Sequence, residues 1–370
     1  MVLQLDWQKP AIKAACSLTI IITALSQSLL VCNYSPDSPY SLHSPYSLQS
    51  LYSACFYSPC QAAPAARAGA PHQTSEKKGK GQIVNFPKSF SIGTLTITQI
   101  KDGPDTSSPL GPAQGRMVFK SKDYYALDAN HLFFLHPEVL KDIPPDCLDS
   151  IRMRFSSFDD AEDGLCDKAM KYVAGLTGLK KLNLDRSEVT DEGLSQAKSL
   201  VNLESLTLFS TLVKGKAFKD LTGLKKLHTI NIPLNELTPE TYELFSGYPK
   251  LTSLDVGRCH PNEQAIKSIA KCTNLTDLDI SGNRTVNDRN IKYLTALKQL
   301  TSLRLFGTSV SLNGLAQLKD LPLRQIVLPQ RDYEPAQLDA LRKVFPQAKL
   351  IAKERGKLKG NDEAIFAPLH

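Results

Sequence analysis

Six times between Leu176 and Leu297 the chain restarts one phrase. LTGLKKLNLDRS begins at Leu176, LVNLESLTLFST at Leu200, LKKLHTINIPLN at Leu224, YPKLTSLDVGRC at Tyr248, CTNLTDLDISGN at Cys272 and LKQLTSLRLFGT at Leu297, a spacing of 24, 24, 24, 24 and 25 residues. A period of this length marks a solenoid of stacked supersecondary units. In Leu182-Asn183-Leu184 and Leu254-Asp255-Val256 apolar and polar residues alternate, as a strand with one buried face requires. The last place of each phrase holds Ser187, Thr211, Asn235, Cys259, Asn283 and Thr308. Stacked coil on coil, a small polar group there can bond turn backbone that is otherwise buried unpaired.

The second half of each unit turns helical. Thr190 before Asp191 and Glu192, Thr238 before Pro239, Asn262 before Glu263 and Asn287 before Asp288 read as N-caps with acid or proline in the first turn. Leu194, Tyr242, Phe245, Ile266, Ile269, Leu315 and Leu318 then face the strands. One unit buries too little to stand alone, so stacking is obligatory. The form LxxLxxLxLxxN resembles the leucine-rich repeat family, in particular its bacterial 24-residue type, whose variable half reads like the VTDEGL of Val189 to Leu194. The resemblance implies an α/β fold: a curved solenoid with parallel strands on the concave side and short helices on the convex side.

The repeat extends both ways. Ile326 and Leu328 take the strand places downstream, FPQAKLIA from Phe345 reads as a degraded last strand, and Leu148, Ile151 and Met153 match Leu179, Leu182 and Leu184 upstream. The longer first unit, 31 residues from Leu148 to Leu179, places a helix around Leu165 to Val173. About nine coils span 146–352. Before them, 82–145 reads as a small β-rich cap domain: Phe90 to Ile100 alternates like a strand, GPD and SSPLGP supply turns, and Gly115 to Asp128 gives one or two further strands.

Residues 1–32 carry Lys9 and Lys13 ahead of an apolar run from Ala14 to Cys32 without an acid, the layout of a signal peptide or an uncleaved membrane anchor. Leu29-Leu30-Val31-Cys32 resembles a lipidation box, with Val31 where a small residue belongs. A low-complexity Ser/Pro/Tyr/Ala linker, with SPYSL twice, occupies 33–81, and a basic tail follows at 353–370. Export to the cell envelope or outside is the expectation, cytoplasmic residence the alternative.

The net charge of +7 is modest, and much of the excess lies in Lys77, Lys78, Lys80, Lys353, Arg355, Lys357 and Lys359, so no nucleic-acid partner is implied. Eight cysteines are scattered: Cys259 and Cys272 read as packing residues, while Cys147 and Cys166 stand as free thiols or a bridge. Asp159 to Gly164 (DDAEDG) lacks the acid an EF-hand needs twelve places on, where Met170 stands, and aligns with Thr190 to Gly193 as helix N-terminal acids. Sequons occur at Asn274 and Asn283, the latter in the buried ladder. The seven histidines have no partner pattern, and no zinc spacing, nucleophile elbow or phosphate loop occurs, so neither catalysis, metal nor cofactor is expected.

The candidate surface is the concave face. Its outward places hold Asn183, Asp185, Arg186, Thr207, Phe209, Asn231, Leu234, Asp255, Arg258, Asp279, Arg304 and Phe306. Aromatic and arginine anchors dominate protein contacts, although Phe209 and Phe306 could instead fold sideways over the turn. The reading is a non-enzymatic module that binds a protein or an envelope polymer, touching a membrane only through its N-terminal segment. The alternatives are an intracellular adaptor or effector, a substrate receptor of ubiquitin-ligase-like type, for which no F-box-like helical segment is seen, and a purely structural surface protein.

Overall fold

The computed structural model describes residues 81–99, 106–120, 122–157 and 162–352. The expected leader, most of the linker, the basic tail and the acids Asp159 and Asp160 lie outside them. Nine short strands mark the coils: β6 (Ser150–Arg152), β7 (Lys181–Asn183), β8 (Ser205–Thr207), β9 (Thr229–Asn231), β10 (Ser253–Asp255), β11 (Asp277–Asp279), β12 (Ser302–Arg304), β13 (Gln325–Val327) and β14 (Lys349–Ile351). All are parallel and in register, so that Leu182, Leu206, Ile230, Leu254, Leu278, Leu303 and Ile326 form one buried column. The alternation read from the sequence is thereby realised.

Upstream lie β1 (Gln82–Asn85), β2 (Gly93–Gln99), β3 (Thr106–Pro112), β4 (Arg116–Phe119) and β5 (Tyr124–Ala129). Strand β5 pairs antiparallel with β2 on one side and parallel with β6 on the other, so the leading segment extends the repeat sheet into a single 12-stranded sheet ending at β3. The SSPLGP segment expected to turn is itself β3; as the edge strand it needs no outer partner, which is where proline is tolerated in a sheet. Strands β1 and β4 form a separate antiparallel ribbon. Phe134 against Phe155, with ring centres 4.5 Å apart, closes the apolar end of the first coil.

The convex side carries α1 (His131–Leu135), α2 (Leu165–Val173), α3 (Asp191–Ser195), α4 (Pro239–Leu244), α5 (Glu263–Ile269), α6 (Leu312–Ala316) and α7 (Pro335–Val344), with 3-10 turns such as Lys216–Gly223 and Ile291–Ala296 between them. Thr190 and Asn262 cap their helices through side-chain oxygens, whereas Thr238 occupies the cap place without that bond. Asn287 is not a helix cap: it accepts from Arg289 N at 2.9 Å in a turn that delays the helical segment to Ile291.

The acids of the first turns do more than face a helix dipole. Asp191 accepts from the backbone of Lys214, Gly215 and Ala217 in the next coil, at 3.0 to 3.1 Å. Asp167 holds Thr190, and Asp288 holds Ser311, in the same way. Gly193 follows from this, since a Cβ there would stand 2.0 Å from Asp167 Oδ1. The equivalent acid of the first coil is therefore Asp167, inside α2, and not a member of the Asp159–Asp163 run aligned with it by sequence.

On the other side of each coil the chain closes through buried polar groups. Asn283 donates to Val256 O at 3.0 Å and Ile280 O at 2.9 Å, and accepts from His260 N at 2.8 Å. Asn235 bonds Leu208 O and Thr211 likewise, and Cys259 takes the place with its thiol on Ile232 O. Cys147, Cys166, Cys259 and Cys272 are free and buried, and burial pushes each thiol up to about 12; Cys147 and Cys166 are not bridged. Replacing Asn283 by Ala strands two carbonyls and an N–H in the interior, and the expected loss is about 2–4 kcal/mol, measured by urea unfolding; Thr308→Ala, a half-buried position, is expected to lose less.

Candidate binding surface

Each concave side chain is placed by two constraints: its strand position aims it outward, and the residue two places past the strand leucine turns left-handed. That left-handed place is filled by Arg186, Ser210, Leu234, Arg258, Gly282 and Gly307, with φ between 52° and 73°. Only two of the six are glycine, so the others hold a conformation that costs an L-residue about 1 kcal/mol. The backbone ladder continues through them, with Arg186 N donating to Phe209 O at 2.7 Å and Arg258 N to Ser281 O at 2.8 Å. The side chains at this place line one rim of the concave face. Arg258 runs along the rim, and a Cβ at Gly282 would lie 2.3 Å from its Cγ.

At the first full coils, Asn183 Nδ2 donates to Asp185 Oδ2 at 3.1 Å, and Asp185 Oδ1 accepts from Phe209 N at 2.8 Å. The Arg186 guanidinium lies 5.5 Å from the centre of the Phe209 ring. Phe209 is half-buried against this cation, while Leu234 is 38% exposed. Further along, Asn231 Nδ2 donates to Asp255 Oδ2 at 3.1 Å. Arg304 grips Asp277 with both terminal nitrogens, at 2.9 and 3.3 Å, and stands 3.6 Å from Asp279. Asp279 in turn accepts from Ser281 N at 2.8 Å.

The structure thus ties Asn183 to Asp185, Arg186 to Phe209, Asn231 to Asp255, and Arg304 to Asp279. Thr207 sits among them with its hydroxyl buried, and Phe306 is half-buried at the far coil, its carbonyl accepting from Gly282 N. Asp277 was missed by sequence reasoning, because it precedes the first strand leucine, two places before the first counted as outward. Lys181, in the same column, and the Arg152–Asp128 pair at 3.7 Å also belong to this face. The signal was available in the period-two alternation, which makes that first place outward as well.

Electrostatically the centre is acidic. Burial pushes the Asp255 carboxyl up to about 7, helped by the neighbouring Asp279 and opposed by the Gly257 N–H and by Arg304. Asp279 is raised as well, first by burial. Among the described residues no three His, Cys, Asp or Glu side chains are grouped to hold a metal ion. A depression of about 250 Å3 lies on the convex side between Asp167, Lys168, Glu192 and Gln196, away from this surface.

No family model matches the chain. It is 29% identical over 167 residues to F-box/LRR-repeat protein 4 of Bos taurus, a match covering 40% of this chain and 27% of that protein, so the chain spans about a quarter of the length of this curated relative. The coil period, the parallel register and the buried Asn ladder are those of a leucine-rich repeat solenoid. Among solved structures the chain is similar to an internalin C2 of Listeria monocytogenes (21% identity, TM-score 0.35, covering 43% of this chain and 74% of that one). A second is an internalin, InlF, of the same organism (17% identity, TM-score 0.40, covering 57% and 69%).

In this leucine-rich repeat solenoid the raised Asp255 gives a signed pH dependence. A carboxyl with a folded pKa above its unfolded value binds its proton more tightly when folded, so its contribution to stability declines as pH rises from about 4 to about 7. Asp255→Asn is expected to flatten that slope and to stabilise the chain at pH 8 by about 1–2 kcal/mol, read from melting curves across pH 4 to 8.

Proposed function

We propose that this chain is a non-enzymatic binding module that recognises another protein through its concave face. What carries the reading is that the outward side chains are already held in place. Asp185, Asp255 and Asp279 each accept hydrogen bonds from side chains or backbone of their own or the adjoining coil, and Arg304 is fixed by Asp277. A surface ordered before contact loses little conformational entropy on binding. An envelope polymer is the other ligand class for the same face.

The apolar run from Ala14 to Cys32 supports an exported or membrane-tethered location. Among the described residues no helix is long and apolar enough to cross a membrane. A second reading, an intracellular substrate receptor of ubiquitin-ligase type, is favoured by the likeness to a protein named F-box/LRR-repeat. Cell fractionation with N-terminal sequencing separates the two: an envelope-bound or processed chain supports export, and a full-length soluble chain supports the receptor.

For the face itself, Phe209→Asp and Leu234→Asp on the concave side are compared with Lys292→Glu on the convex side in cross-linking from the native host. The concave variants are expected to lose a specific cross-linked partner by at least about ten-fold, and the convex variant to keep it. Loss with Lys292→Glu and retention with the other two would move the binding surface to the helices.

A further inference from the structure

The ribbon formed by β1 and β4 has one side that none of the described residues covers. Its register pairs Ile83 with Val118 and Asn85 with Arg116. Alternate residues share a face, so Ile83, Asn85, Arg116, Val118 and Lys120 all point one way, and all are exposed. The opposite face buries Val84 and Phe119. Ile83 and Val118 are 45% and 61% exposed, an aliphatic cross-strand pair turned to solvent.

Among the described residues this face bears cations and no acid. Arg116 in the strand and Lys120 just past its end flank Val118. Lys88 is exposed beside the Arg116 end, where Phe86 N bonds Gly115 O and Gly115 N bonds Pro87 O, and exposed Lys122 follows Lys120. The acids nearby are engaged elsewhere: Asp146 accepts from Gln82 Nε2 at 2.9 Å, and Asp123 from the Tyr125 hydroxyl at 3.5 Å. Tyr125 lies on the inner side, stacked on Phe119 with ring centres 3.9 Å apart.

We propose that the outer face of the β1–β4 ribbon is a contact surface for an anionic lipid layer, with Ile83 and Val118 entering the headgroup boundary and the surrounding cations meeting lipid phosphates. The arrangement selects this occupant by its charge and its exposed aliphatic pair. Cations spaced around an aliphatic pair match a negative surface with an apolar layer beneath it. Nucleic acid would use the cations and leave the aliphatic pair without a partner. The proposal is independent of the concave face and of which side of a membrane the chain occupies.

The test uses the full chain with phosphatidylcholine vesicles, with and without one quarter phosphatidylserine, at low salt. Because residues 14–32 are apolar, the readout is the preference for the anionic vesicles over the neutral ones. Wild-type chain is expected to show that preference, at about five-fold per engaged cation. Arg116→Glu with Lys120→Glu, and separately Val118→Glu, are expected to reduce it at least about ten-fold at an unchanged melting temperature. Leu234→Asp, on the concave rim, should leave it intact. Equal preference in wild type and ribbon variants, or no preference in wild type, would overturn the proposal.

Discussion

The structure depends on backbone that is closed off from water on the inner side of each coil and must be paired there. A chain that climbs by one strand spacing per turn buries the carbonyls of its ascending bend against the next coil. Those of Val256 and Ile280 are met by Asn283, and those of Leu208 and Ile232 by Asn235, the latter also by Cys259. The bend that brings these groups together forces the preceding residue left-handed even where it is arginine or leucine. Local strain is thus accepted for pairing that the interior requires.

A second set of bonds secures the convex side. Asp167, Asp191 and Asp288 each reach from one coil to the backbone of the next. Coils are therefore fastened at both edges, with the column of leucine and isoleucine between them. That double attachment holds the concave side chains in a fixed pattern: an aromatic ring under a guanidinium at Phe209, and a partly buried acidic centre at Asp255 and Asp279 with Arg304 set into it. The acidic centre is costly at neutral pH, because burial and the neighbouring Asp279 disfavour the charged form of Asp255.

Much of the fold was legible because the period, the alternation and the ladder residue each state a physical requirement. The nine coils, the helix over Leu165–Val173 and the degraded strand at Lys349–Ile351 all follow from them. What escaped had non-local causes. The acids after the caps looked like dipole partners because their acceptor role lies a whole coil away, and Asn287 looked like a cap because the delay to Ile291 is set by that coil's turn. Proline and serine in Thr106–Pro112 read as a turn, yet an edge strand leaves them free of the pairing they would disrupt. On the concave face, position was readable and pairing was not: that Arg304 would grip Asp277, and that Phe209 would lie against Arg186, depends on rotamers chosen across strands.

The most direct test of a preformed concave surface is amide hydrogen exchange of the free protein over 205–211, 229–235, 253–259 and 277–283. Coils fastened at both edges predict slow exchange of similar extent in all four segments, set by sub-global opening. Fast exchange in these segments while the convex helices stay protected would show that the face is ordered only by its partner, and would contradict the account.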